Sequence, residues 1–566
     1  MEKSNNNIPI LWHSVETAIR AIASGRSAPK KVLILGAGMA GMSAAYELGK
    51  RSEIDTIDIL EASARVGGRV WTHKFEGTDQ IGEFGAMRIP EERHDYTFHY
   101  MNEFNLRTRE FIAASDSGYY DIRGTMVNTD LAGRTQIVNQ YPGLTNAEKS
   151  IIINNGAGGL LARHMNTLMA RLKANDWQLG RALVNGNMNN EFLRWLDAQT
   201  TRGYLLRLVE EKKLSSDGMA MIGAMTSLES RWLWSLASNL RGTLTTRPPN
   251  GKGLVEIIGG FGRLPEEMET RLNSSAYEKV TTHHGHAITQ IDIEGNNVIV
   301  YTKDGEQKWE GYDKVICALP FGVMRLITLN GFSNTKISAI RNLKYSSSTK
   351  VLLMCKSAFW QKGKKSIYGS SISDRLSRQT YYPSPVTTVK REEQVDTNED
   401  LYWNVDSRID DRPIPKVKSS SPESERRVLL GSYSWSTNSR QLGNLSKRDD
   451  DPESIGSKMK DNIDSDRARH VINDLKHIHP ELDNGQFEKS ASIYWDEHKW
   501  TKGAFAITPP GDLTSYFSDS IRPEANGNLY FAGEHVSIAP GWIQGALQSG
   551  LKAAANIVGI PLKDFE

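Results

Sequence analysis

The sequence predicts an α/β fold: a Rossmann-type nucleotide-binding domain that is discontinuous along the chain, an α+β domain, and an inserted helical domain. Three observations carry this. An apolar run near the start feeds a glycine-rich turn, a second strand–glycine–helix segment closes the chain, and a proline-poor helical stretch lies between them. At 566 residues the chain is too long for one ordinary domain, and 39% hydrophobic residues can build several cores.

The first element spans Lys31 to Arg69. Val32 to Leu35 reads as a strand and runs into Gly36-Ala37-Gly38-Met39-Ala40-Gly41, then a helical segment to Lys50 and a second apolar run ending at Glu61. Gly36 allows a tight turn, Gly38 lets backbone N–H groups approach a pyrophosphate, and Gly41 lets the helix pack on the strand. The helix N-terminus then faces the phosphate charge. Glu61, 20 residues after Gly41, is placed to accept hydrogen bonds from both hydroxyls of a ribose and would repel a 2′-phosphate. Ala62 to Arg69 follows at once, with flexible positions at Gly67 and Gly68 and cations at Arg65 and Arg69 beside the expected pyrophosphate.

Composition narrows the class. With 69 basic and 67 acidic residues the formal charge is +2, so no net field argues for nucleic acid or an anionic membrane. Two cysteines, Cys317 and Cys355, exclude a disulfide-rich scaffold and are too few for a thiolate metal site, so no metal is expected. The N-terminus has no apolar core of signal-peptide length and no run approaches a spanning helix, so a soluble, cytoplasmic protein with no membrane contact is expected.

Residues 1–29 carry an amphipathic pattern at Leu11, Val15, Ala18, Ile19 and Ile22, a helix docked outside the body. Val70 to Phe75 reads as a strand. Arg88 then lies among Gly85, Ala86, Met87, Ile89 and Pro90, where a guanidinium needs an anion. That anion is either an internal carboxylate, Glu83 or Glu91, or something external. Helical patterns follow at 162–172, 191–208 and 219–236, with Trp195, Trp232 and Trp234 read as core. The turn-rich Pro248–Arg263 returns the chain to the nucleotide fold. Strands are expected at 287–293, 297–302 and 314–319, the last closing the sheet before the chain crosses to the next domain. Residues 344–360 read as a strand entered by Lys350, a side chain that points either to water or to a site. Residues 361–425 and 440–466 are polar and read as surface excursions. At the end, Asn528 to His535 is a strand carrying Gly533 and Glu534, and Gly541-Trp542-Ile543 opens a helix to Ile557. A helix N-terminus there would stabilise negative charge on a bound group.

Several of these stretches resemble one family. The EASARVGGR segment from Glu61 to Arg69 looks like the motif after the first βαβ unit of flavin-dependent amine oxidases, which include monoamine, polyamine and L-amino acid oxidases. Gly85-Ala86-Met87-Arg88 resembles the GAMR segment of L-amino acid oxidases, in which the arginine holds the substrate carboxylate by a two-pronged ion pair. Arg88 is thereby implied as substrate-binding and catalytic, and Lys350 as the lysine that hydrogen-bonds flavin N5 through a water. The stretch from Arg378 to Ser384 resembles a paired-tyrosine segment in which one phenol helps bind the carboxylate, Tyr382 being preferred to Tyr381. The resemblance also implies Glu534 on the ribityl chain, Trp542 as a pocket wall, Gly541 as space for the amino group, and the backbone of Ile288 at the adenine.

The cofactor implied is FAD, held without a covalent bond because the C-terminal region has no cysteine. Its contacts are Gly36, Gly38, Ala40, Gly41, Glu61, Ala62, Gly68, Arg69, Gly85, Ala86, Met87, Arg88, Ile288, Gly533, Glu534, Gly541, Trp542 and Ile543. The expected domains are an FAD-binding domain (30–95, 246–325 and 526–566), a substrate-binding domain (1–29 and 326–525 with part of 96–125) and a helical domain (126–245). The implied reaction is oxidative deamination of an L-amino acid by hydride transfer from Cα to flavin N5, giving a 2-oxo acid, ammonia and, from oxygen, hydrogen peroxide. A homodimer or higher homo-oligomer is the expected assembly. Three other readings stay open: an amino-acid 2-monooxygenase releasing an amide, an amine or polyamine oxidase, and a flavin-binding scaffold without turnover.

Overall fold

The apolar run at Val32 lies at the middle of a five-stranded parallel sheet whose order is Val280–His283, Thr56–Leu60, Lys31–Leu35, Lys314–Cys317 and Leu529–Phe531. Its inner strands Lys31–Leu35 and Lys314–Cys317 read as continuous apolar runs after their first lysine because both faces are covered. The computed structural model describes residues 9–27, 29–246, 253–361, 366–384, 426–445, 463 and 465–562. Most of the expected excursions over 361–425 and 440–466, and the first residues of the 248–263 turn, lie outside them.

One face of the sheet carries the helices Met39–Gly49 and Ile543–Ile557, which come from opposite ends of the chain and pack on each other. Ser43 Oγ reaches the Leu547 carbonyl at 3.5 Å between them. Gly41 is needed at the base of the first: a Cβ there would stand 2.1 Å from the Gly36 carbonyl oxygen.

Two expectations need correction. The strand at 314 does not close the sheet. It sits beside Lys31–Leu35, and Leu529–Phe531 takes the edge. The N-terminal helix, Val15–Ala23, expected with residues 326–525, packs instead on the helices Met39–Gly49 and Ile543–Ile557 of the parallel sheet. Its buried stripe of Val15, Ala18, Ala21 and Ile22 shares a core with Met42 and Leu551, and Asp95 accepts from Val15 N at 3.1 Å and Trp12 Nε1 at 3.0 Å. The physical reason is that the two nucleotide-layer helices present an apolar outer surface that this stripe covers.

A separate four-stranded sheet holds Ile288–Glu294, Asn297–Thr302, Gln307–Trp309 and Thr328–Asn330. A seven-stranded mixed sheet runs Phe487–Tyr494, Ser348–Cys355, Arg427–Trp435, Gln379–Tyr381, Ser370–Ser373, Tyr119–Ile122 and Thr125–Asn128. Ser348–Cys355 is buried along its whole length, so Lys350 faces protein and not water.

The helical region opens on a capping box, in which Thr145 and Glu148 exchange side-chain and backbone hydrogen bonds, and the long helix Asn146–Asn185 is interrupted at Gly156 and at 174–177. The pattern over 191–208 divides into Glu191–Ala198 and Thr201–Glu210, because the Thr200 hydroxyl caps a new start. The pattern over 219–236 ends with the helix Ser216–Thr226. A 3₁₀ turn, Leu228–Arg231, then bends the chain before Leu236–Thr246 resumes. No helix among the described residues is long and apolar enough to cross a membrane.

Lys336, on the helix Asn334–Asn342, is fully buried; its Nζ donates to the Ser520 carbonyl at 2.7 Å and lies 3.6 Å from the Phe531 ring centre. Burial pulls its pKa down to about 7. The unfolded chain, with an ordinary lysine, therefore binds this proton more tightly than the fold does, and stability should rise with pH by about 1.4 kcal/mol per unit between about pH 7 and 10. Lys336→Met is expected to flatten that rise. Urea unfolding across the window would measure it, and parallel pH profiles for the two proteins would remove the effect.

Candidate active site

A cavity of about 640 Å³ runs from the glycine-rich turn to the start of the last helix. At one end stand Gly36, Gly38, Ala40, Glu61, Ala62 and Ile288; at the other, Gly85, Ala86, Met87, Arg88, Lys350, Tyr381, Trp542 and Ile543. Gly68, Arg69, Gly533, Glu534 and Gly541 line it between them. Gly41 does not, and its contact is the strand beneath.

The glycine turn is braced from the side. Gly67 N donates to the Ala37 carbonyl at 2.8 Å, which lays the 62–69 loop along it. Gly38 has ordinary extended backbone, and a Cβ built there meets no atom within 4 Å. Its lack of a side chain therefore serves the open space and not the fold. The helix Met39–Gly49 starts here with its first N–H groups lacking carbonyl partners within the helix. Glu61 is fixed by Ala37 N at 2.9 Å on one oxygen and by Ser63 N at 2.8 Å and Ser63 Oγ at 2.9 Å on the other.

Glu534 ties the middle of the cavity together. It accepts from Arg69 Nη1 at 2.7 Å, Ala506 N at 3.1 Å and Gly541 N at 2.9 Å. Arg69 also donates to the Ala504 carbonyl at 2.9 Å. Arg65 reaches the Gly68 carbonyl at 2.7 Å and stacks 4.3 Å from the Trp71 ring centre. Both cations of the 62–69 segment thus hold protein groups while lining the cavity.

At the far end Arg88 donates to the Tyr381 hydroxyl at 3.1 Å and faces the Phe111 and Tyr381 rings. Among the described residues no carboxylate lies within ion-pair distance of it. Glu83 is engaged elsewhere, accepting from Thr72 Oγ1 at 2.9 Å and Phe261 N at 2.8 Å. Neighbouring strand residues point to opposite faces, and Tyr381 and Tyr382 divide accordingly. Tyr381 lines the cavity, whereas Tyr382 bonds Ser371 Oγ at 2.9 Å and His479 Nε2 at 2.7 Å in a separate core with Trp360. The preference for Tyr382 is therefore corrected: the phenol that faces the cavity beside Arg88 is Tyr381.

Lys350 Nζ donates to the Gly85 carbonyl at 2.6 Å and the Glu83 carbonyl at 3.1 Å, beneath the Tyr433 ring on the paired strand. Burial pulls its pKa below the usual lysine range and pushes the Glu83 carboxyl above the usual carboxylate range, each partly opposed by the other's charge. His94 packs edge-on to Trp542, and burial lowers its pKa to about 3, so its ring is neutral.

Sequence reasoning missed part of the wall. Trp234, read as core with Trp195 and Trp232, faces the cavity, as do Arg231, Tyr433, Trp435 and Phe505. The Arg231 guanidinium lies between the rings of Trp234 and Trp435, at 5.9 and 5.7 Å, and burial, then the proximity of Arg88, pulls its pKa down to about 10. The signal available was a cation set among tryptophans, Arg231-Trp232-Leu233-Trp234.

The sequence model of the family described as flavin containing amine oxidoreductase matches residues 39–451 and 453–558. Among curated proteins, the chain is 26% identical to a flavin-dependent L-tryptophan oxidase of Lentzea aerocolonigenes, over 93% of this chain and 98% of that one. It is 27% identical to an L-amino-acid oxidase of Gloydius halys, over 94% and 89%. Among solved structures, putrescine oxidase bound to putrescine superposes with a TM-score of 0.64 at 16% identity, covering 94% of this chain and 99% of the other. Cyclohexylamine oxidase from Brevibacterium oxydans gives 0.64 at 15%, with the same coverage. At these identities the structural likeness concerns the fold.

Gly38→Val should still fold, losing no more than about 2 kcal/mol through a poorer helix cap, yet lose flavin uptake because its side chain enters the open space. The flavin-to-protein absorbance ratio after reconstitution, beside urea unfolding of the apoprotein, measures both; full flavin uptake by the variant would show that no bound group approaches that backbone.

Proposed function

Since the chain belongs to the flavin containing amine oxidoreductases, whose cofactor is FAD, we propose that it is an L-amino acid oxidase that converts its substrate to a 2-oxo acid, ammonia and hydrogen peroxide. The observation that carries this is Arg88: a guanidinium deep in the cavity, beside a phenol and with no carboxylate of the described residues to meet it. An amine lacking an acid group gives such a cation nothing to bind.

The residues present fit FAD. The open face of Gly38 and the N-terminus of Met39–Gly49 suit a pyrophosphate, Glu61 suits a ribose, and a second helix N-terminus, at Trp542 and Ile543, ends at the same cavity. Cys317 and Cys355 are buried away from the lining, which supports non-covalent binding. The chemistry FAD supplies when bound is two-electron oxidation at Cα and return of those electrons to dioxygen.

The chain's own residues supply position and charge. Arg88 and Tyr381 pin the α-carboxylate, which fixes the orientation of Cα. Tyr433, Trp435, Trp542 and Phe505 shed water from the substrate. Lys350, with its pKa lowered by burial, is suited to hold or release a proton at Nζ near neutral pH. The imino acid released is hydrolysed by water without further help.

Two measurements test this reading. Anaerobic mixing with L-amino acids should bleach the bound flavin, and aerobic turnover should give peroxide and 2-oxo acid in equal amounts. An amide product would instead indicate monooxygenation, and equal rates with amines lacking a carboxylate would indicate amine oxidation. Arg88→Ala should raise KM by about 30- to 1,000-fold, and an unchanged KM would remove the carboxylate assignment.

A further inference from the structure

The arginines that line the cavity differ in how they are satisfied. Arg65 and Arg69 hold carbonyls and Glu534. Arg241 donates twice to the Val184 carbonyl and once to that of Ser537. Arg88 reaches the Tyr381 hydroxyl. The Arg231 guanidinium makes no hydrogen bond and no ion pair among the described residues, and its Nε is sealed from solvent without a partner. The nearest acid in sequence, Glu229, pairs with Arg378 at 2.7 Å and makes no ion pair with it.

This cation is held in place without being neutralised. Trp234 and Trp435 flank it with ring faces, which orient a guanidinium but leave its N–H groups open. A buried charge without an anion is costly, and Arg88 in the same chamber adds like-charge repulsion. One carboxylate satisfies one of the pair. A substrate with a single acid group leaves the other as it was.

We propose that Arg231 receives a second carboxylate, carried on the substrate's side chain, so that the preferred substrate is an acidic L-amino acid. The inference rests on the L-amino acid oxidase reading and deepens it: Arg88 takes the α-carboxylate, Arg231 the distal one, and the tryptophans set the direction from which it arrives.

The experiment compares acids with their own amides, which match in size and differ in charge. Peroxide formation and anaerobic flavin reduction are measured with L-glutamate, L-aspartate, L-glutamine and L-asparagine, and with L-leucine as a neutral reference. The expected result is a kcat/KM for the better acid about 100-fold or more above that of its amide, expressed mainly in KM. In Arg231→Met the acid-to-amide ratio should collapse to within about threefold, and Arg231→Lys should restore part of it. The wild-type comparison needs no variant, so misfolding of Arg231→Met does not spare the proposal. Turnover of L-leucine or the amides at least as fast as the acids would overturn the role of Arg231 and leave the oxidase reading standing. Failure of every L-amino acid to reduce the flavin would overturn both.

Discussion

The site depends on a single carboxylate, Glu534, shared among three distant stretches. It joins the guanidinium of Arg69, the backbone of Ala506 and the backbone of Gly541, and so draws the loop after the first βαβ unit, the strand Phe505–Ile507 and the last helix to one point. A buried carboxylate is tolerable only when its lone pairs are filled, and here each donor that fills them belongs to the wall of the cavity. The cost of burying the charge and the shape of the chamber are settled by the same contacts. Glu61 does likewise at the other end, where its oxygens hold Ala37 and Ser63 and brace the glycine turn.

Between these two anchors the chamber changes character. The end near Gly38 offers backbone N–H groups, one helix N-terminus and the Glu61 carboxylate. The end near Arg88 is built of aromatic planes around two guanidinium groups and a buried lysine. Phosphate chemistry suits the first. The second suits an organic molecule that is partly apolar and carries anionic groups at set points. The low-dielectric aromatic surroundings strengthen those charges toward whatever meets them.

The ends of the chain were legible because local chemistry determines them. Gly38 and Glu61 occupy positions whose spacing follows from the βαβ geometry, and the family resemblance placed Glu534, Arg88 and Lys350 at the cavity. What was illegible depended on register and on tertiary pairing. Tyr381 and Tyr382 are indistinguishable in composition, and only the pleat decides which one faces the chamber. Trp234 reads as core by the usual fate of tryptophan, and its exposure to the cavity follows from a helix break that periodicity does not reveal. The N-terminal stripe is visible as amphipathic, yet nothing local says which layer it covers. The position of Lys314–Cys317 inside the sheet follows from a partner strand more than 200 residues later.

That last pairing has a bearing on biogenesis. The central sheet takes its strands from residues 31–35, 56–60, 280–283, 314–317 and 529–531, all in parallel register, and one of the two helices on its face ends at Ile557. Contacts of such sequence separation form late, and a ribosome-bound chain lacking its final segment has an incomplete sheet edge and no Glu534. Flavin uptake, and with it the yellow colour, is therefore a reporter that residues 529–557 have been made and docked.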